Sequence, residues 1–345
     1  MRRTALVTAV VVGVVATLSA LQLTPGTLEA WARYIALHDA ELAENRANGV
    51  PYLWIDRLPE DERGKRQAEL DRGEVVVKGL ELRDNGKKVE VRDGKIHHWV
   101  GTVIVPGATL DEVVAFVQDY DKYPERFAPM IERAEVLSHE GDRWIVRMRN
   151  RTKKVITVVM DADYVVDYLP LSPTRLETMN VTTNLFEVKN AGEPNESRLP
   201  GDEADGFLWR LRMICRFDQR EEGTYEECES VSLTRNVPYM LRWLIDPFVN
   251  SVPRETIEFN MGVVRDGAGK RRPYSSAGSS SHARRRNPTA MTPADREDMA
   301  RGVYQTPFRR RTCRQAGVDT SSSTVRRSRV ASSNSMASAR CSSVM

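Results

Sequence analysis

The order of elements between Ile96 and Arg265 predicts an α+β fold, a curved antiparallel sheet around a C-terminal helix with a small helical N-terminal region ahead of it. An alternating strand at Ile96–Val105 opens the segment, and two short helical patterns follow around Tyr120–Pro129. A run of strands comes next, and one amphipathic helix opened by Pro253 closes it. A sheet wrapped on a single helix leaves an apolar hollow between the two.

The elements can be justified from the N-terminus onward. Arg2 and Arg3 precede an uncharged stretch from Ala5 to Leu23, so residues 1–23 read as a cleaved export signal or a membrane anchor. Both readings place the rest of the chain outside the cytoplasm: periplasmic, secreted or tethered to the membrane. Residues 24–91 form the helical region. Leu28, Trp31, Ile35 and Leu42 recur at helical spacing, and Arg57–Arg72 predicts a charged, solvated helix whose Ala68 and Leu70 touch little else. Val75–Val77 and Val89–Val91 predict short strands joined through Asp84-Asn85-Gly86.

The main domain spans residues 92–266. His97, Trp99, Gly101, Val103 and Val105 alternate with His98, Val100, Thr102 and Ile104. Thr109 caps a helix with Leu110, Val113, Val114 and Val117 on one face. Strands follow at Trp144–Met148, Val155–Met160, Tyr164–Tyr168 and Leu176–Thr183, and Lys189–Asp205 predicts a long polar loop. Phe207–Phe217 pairs with Tyr225–Arg235 around Glu221-Glu222-Gly223. With Gly223 in the left-handed position of a three-residue loop, Cys215 opposes Glu229, and Cys215 and Cys228 fall on opposite faces as separate thiols. Tyr239–Ile245 predicts a short helix. The final helix starts at Ser251-Val252-Pro253 and carries Ile257, Met261 and Val264 on one face. Its pattern stops near Arg265, about 13 residues or roughly 20 Å on.

The net charge of +3 averages two unlike regions. From Arg265 to Met345 Lys and Arg outnumber Asp and Glu 17 to 5, whereas residues 1–264 carry 34 basic and 43 acidic residues. The acidic folded part argues against a nucleic-acid partner. Residues 267–345 hold Arg and Ser in excess without apolar periodicity, which predicts a disordered tail. That bias is what out-of-frame reading of a GC-rich gene produces, and a natural basic tail is the alternative.

Trp99-Val100-Gly101, Asp119-Tyr120-Asp121-Lys122-Tyr123-Pro124, the strand run, Pro238 and Ser251-Val252-Pro253-Arg254-Glu255 together resemble the START-like (SRPBCC, Bet v 1-like) superfamily of helix-grip proteins, which includes polyketide cyclase/dehydratase-type domains. The resemblance covers about residues 92–266. It implies a ligand such as a sterol, phospholipid, quinone or polyketide held between the sheet and the last helix.

The candidate ligand-binding residues are His97 and Trp99 first, then Trp144, Trp209, Met213, Trp243, Ile257 and Met261. His97 and His98 point to opposite faces of a strand and cannot share one ion. No metal motif, catalytic constellation or cofactor signature is read from the sequence. Arg210, Arg212, Arg216 and Glu226 read as a solvated ladder on the outer face. The function read from these residues is non-catalytic binding or transport of a hydrophobic small molecule in the cell envelope, with membrane contact through the N-terminal segment if it is uncleaved. The alternatives are a cyclase or dehydratase acting on a polyketide-like substrate, and a structural envelope protein.

Overall fold

The computed structural model describes residues 23–154, 156–201, 203–236 and 242–269, apart from the side chains of 242–250. Helix α1 (Pro25–Ala47) starts at Thr24, whose side chain accepts from the Thr27 N–H, with Pro25 in the first turn. It buries Thr27, Tyr34, His38 and Leu42. Of the four residues the apolar spacing selects, only Leu42 is buried, because α1 lies on a polar sheet face and turns its polar stripe inward. Helix α2 (Glu60–Asp71) is charged, but Leu70 does not stand apart as the sequence suggests. With Leu53 and Ile55 it packs on Val76, Ile104 and Tyr225, so one apolar side chain anchors the helix.

Strand β1 is Val76–Gly79. A small hairpin, β2 (Arg83–Asp84) and β3 (Lys87–Lys88), turns at Asn85-Gly86, both at positive φ, and stops short of Val89–Val91. The long strands are β4 (Gly94–Pro106), β5 (Ile131–Glu140), β6 (Arg143–Lys153), β7 (Thr157–Ser172), β8 (Arg175–Lys189), β10 (Arg210–Arg220) and β11 (Gly223–Arg235). The predicted polar loop after Lys189 contains a further strand, β9 (Ser197–Pro200), which pairs with β8. Nine strands form one sheet in the order β1-β4-β11-β10-β8-β7-β6-β5, with β9 beside β8. Between β4 and β5 lie α3 (Leu110–Gln118), closed by a Thr109–Glu112 capping box, and the single-turn α4 (Tyr123–Arg126).

The β10–β11 hairpin corrects the predicted register. Arg220 pairs with Gly223 around a two-residue turn, so Cys215 opposes Cys228 rather than Glu229, and the two form a disulfide. A loop one residue shorter shifts every partner by one and brings both cysteines to one face. Gly223 serves a close approach: a Cβ there would meet the Val105 carbonyl oxygen at 2.3 Å. The same shift moves Glu226 to the face that carries Phe217 and Cys215. The predicted solvated ladder is therefore overturned: Arg212, Arg216 and Glu226 are all buried.

The closing helix, α5, runs from Arg242 to Ala268, 27 residues or about 40 Å. It does not open at Pro253: residues 242–245 of the predicted short helix already belong to it, residues 239–241 lie outside the described residues, and it ends at Ala268, close to the predicted limit. Ile257, Met261, Val264 and Ala268 are buried along one stripe. Gly267 lies so close to Phe116 that a Cβ would meet the ring at 2.5 Å. The chain thus packs in register with the fold through Ala268. The export or anchor segment before residue 23 and the tail after residue 269, with its disorder and frameshift readings, lie outside the described residues. Among the described residues no helix is long and apolar enough to cross a membrane.

Candidate functional site

Alternation along each strand divides the sheet into an inner face toward α5 and an outer face toward α1. Gly101 fixes the assignment, since a Cβ there would lie 2.3 Å from Ile257 Cγ2 and 2.8 Å from Met261 Sδ. His97, Trp99, Val103 and Val105 therefore point inward with Gly101. Chain-to-chain register extends each of these positions into a transverse row.

One end of the inner face is solid. Val103, Val105, Leu176, Cys215, Phe217 and Cys228 pack with Val113, Phe116, Ile257, Met261 and Val264 in one cluster. Two rows along from Val103, burial is less complete. Trp99 pairs with Ser230, Ser230 with Met213, Met213 with Asn180, Asn180 with Val166, and Val166 with Trp144. Of these six, only Val166 is buried. Tyr164, Met148 and Asn150 flank the row and are also half-buried. The Tyr164 hydroxyl is pushed up to about 12 by burial, against a hydrogen bond from Asn150 at 3.3 Å. Trp99, Met213, Trp144, Met148 and Tyr164 pack against the filled cluster while keeping part of their surface exposed.

Three of the predicted site residues, Trp99, Met213 and Trp144, thus share one row, spanning five strand spacings or roughly 24 Å of sheet. Ile257 and Met261 mark the boundary where the filled end begins. His97 also faces inward but is buried beyond the row, with Nε2 3.1 Å from Thr234 Oγ1. Burial, helped by Lys95, pulls its pKa down to about 4. Trp209 is 1% exposed, and its indole N–H has no partner among the described residues. Trp243 lies on α5, but its side chain is outside the described residues.

Sequence reading missed the polar members of the inner face. Ser230, Asn180 and Asn150 were legible only as neutral strand positions. Tyr120 and Tyr168 join their hydroxyls at 2.8 Å behind Trp144, whose ring centroid is 5.6 Å from that of Tyr120. Glu226 is the sharpest omission. It sits in the filled end between Val103 and Phe217, its Oε2 has no partner among the described residues, and burial raises its pKa to about 8. Its carboxylate and the two cysteine sulfurs are close enough to share an ion, but the disulfide occupies both sulfurs.

No protein-family model matches the chain, and no curated protein is similar to it in sequence. Solved structures do resemble it. A STAR-related lipid transfer protein fragment from Xanthomonas axonopodis is 14% identical, covers 55% of this chain and 98% of its own, and superposes with a TM-score of 0.37. A START superfamily protein from Mycobacterium smegmatis is 14% identical, with 49% and 94% coverage and a TM-score of 0.33. The di-domain ARO/CYC BexL is 16% identical, with 52% and 51% coverage and a TM-score of 0.35. The strand order and the helix laid along the inner face define the class. The protein has an α+β helix-grip architecture.

Proposed function

We propose that this protein binds and carries an apolar small molecule, a lipid, quinone or polyketide-like compound, in the hollow between the inner sheet face and α5. The half-buried row from Trp99 through Met213 to Trp144 supports this reading, because it sets large, partly exposed apolar side chains beside Ser230 and Asn180 on the face toward α5. A ligand covering about 300 Å² of apolar wall gains roughly 7 kcal/mol before ordering costs. Ser230, Asn180 and the indole N–H groups supply the few polar contacts that orient such a ligand. Chemistry on the ligand is disfavoured. An acid–base pair is needed, and His97 and Glu226 stand three rows apart, roughly 20 Å along the strands. Export through residues 1–23 would place this carriage in the cell envelope, and fractionation of the expressing cell tests that location.

Native mass spectrometry of the gently purified full chain tests the binding. A co-purified hydrophobe that is lost from Trp99→Ala and Met213→Asp supports carriage. A wild-type chain that arrives without ligand and takes up no lipid, quinone or aromatic polyketide analogue overturns it.

A further inference from the structure

The outer face holds a cluster that the ligand hollow does not use. His38 of α1 and His98 of β4 both direct Nε2 at Oε1 of Glu229 on β11, each at 2.9 Å. The donor atoms of the three residues all lie within 4.8 Å of one another, and all three residues are buried. We propose that His38, His98 and Glu229 form a site for one divalent transition-metal ion of the zinc class, which clamps α1 onto the sheet.

Donor chemistry, geometry and charge point the same way. Two imidazoles and one carboxylate make a set that zinc accepts at 2.0–2.2 Å per bond, which in a tetrahedral arrangement separates the donors by about 3.3 Å. The observed 2.9 Å contacts need to open by only a few tenths of an ångström. The other nitrogen of the His98 ring, Nδ1, is 2.9 Å from the Tyr34 hydroxyl, which itself accepts from the Leu82 N–H. That is the kind of restraint that holds a ligating imidazole in orientation. His38 Nδ1 has no partner among the described residues, so this ring has one restraint fewer and can adjust.

Around the cluster the charges do not balance. Arg216 alone faces Glu177, Glu227 and Glu229, within 3.0–3.5 Å of each, and Arg46 reaches only Glu177 from the surface. Asp39 of α1 is already paired with Arg212. Glu41 and Arg57 act on the group only at longer range. Three buried carboxylates thus face one buried guanidinium and one that reaches in from the surface, and a dication would supply the missing charge.

The test is zinc titration of the chelator-treated full chain at pH 7.5, followed by calorimetry and by elemental analysis after dialysis. One equivalent is expected, with a rise in melting temperature. His38→Gln and Glu229→Gln should lose it, and His97→Gln, on the opposite face, should keep it. Tyr34→Phe should weaken binding by about 10- to 100-fold. Circular dichroism reports whether each variant is folded. Cobalt(II) in the wild type needs no variant: a tetrahedral spectrum without a thiolate charge-transfer band is expected. The proposal is overturned if no zinc is retained, if a folded His38→Gln chain retains it, or if a thiolate band places the ion on Cys313 or Cys341.

Discussion

The two faces of the central sheet are both buried, yet they treat charge in opposite ways. Glu226 and Glu227 are neighbours in β11 and point to opposite sides. On the outer face Glu227 accepts from Trp54 N, Ile55 N, Thr102 Oγ1 and Arg216. On the inner face Oε2 of Glu226 meets no donor among the described residues, and burial alone raises its pKa to about 8. Glu229 shows the other extreme. Burial works to raise it, but hydrogen bonds from His38 and His98 hold it well below the usual carboxylate range. Burial and donors compete: burial still raises Glu227 against its four donors, whereas the donors prevail at Glu229. The outer face spends polar partners to fasten α1, and the inner face goes without them where α5 and the hollow lie.

The largest expected effect breaks the outer face. Arg216 is 2% exposed and touches three carboxylates. Arg216→Met strands those charges and should cost about 3–5 kcal/mol, read from urea unfolding at pH 7. Arg216→Lys should recover only part of the loss, because an ammonium cannot reach three carboxylates in the plane of a guanidinium fork. A change below 1 kcal/mol for Arg216→Met would mean that the carboxylates find other partners.

A pH series sharpens the contrast on the inner face. A carboxyl whose folded pKa exceeds its unfolded value keeps a proton that the unfolded chain has released. Glu226 therefore imposes no penalty below pH 4.5 and a growing one as pH rises toward 8. The penalty is on the order of 3 kcal/mol at pH 7. Glu226→Gln should flatten that limb of the stability curve. His97 acts at the acid end: held neutral by burial, it costs stability as pH falls from 6.5 to about 4, roughly 3 kcal/mol in all, and His97→Gln should remove that fall. Identical alkaline limbs for wild type and Glu226→Gln would show that Glu226 has found a donor.

How much of this was legible in the sequence follows from the same two faces. Strand alternation put Trp99 and Met213 on one sheet face, and helical spacing put Ile257 and Met261 on one face of α5. The outer face was not legible in this way. His38, Glu177, Arg216 and Glu229 come from four elements up to 191 residues apart, and each alone looks like a solvated charge. Only the register of β10 on β11 and the docking of α1 bring them together. That register hung on one loop residue, which is why Cys215, Cys228 and Glu226 were misplaced together. The length of α5 was hidden for another reason: Pro247 and Pro253 punctuate a helix whose tertiary packing overrides them.

The smallest expected effect tests the boundary between the filled end and the hollow. Gly101 has no room for a Cβ, with Ile257 Cγ2 at 2.3 Å and Met261 Sδ at 2.8 Å from its place. Met261 has a flexible thioether and can move, but Ile257 is branched at Cβ and its Cγ2 cannot swing away without moving α5. Gly101→Ala should therefore cost about 1–3 kcal/mol by overpacking. The cost should shrink in an Ile257→Ala background, where the obstructing methyl is gone, and the double-mutant cycle measures the coupling. Because the shift lifts α5 beside Trp99, Gly101→Ala should also change the uptake of an apolar fluorescent probe more than its stability loss implies. Equal costs in both backgrounds would remove Ile257 from the contact and, with it, the assignment of this row as the edge of the hollow.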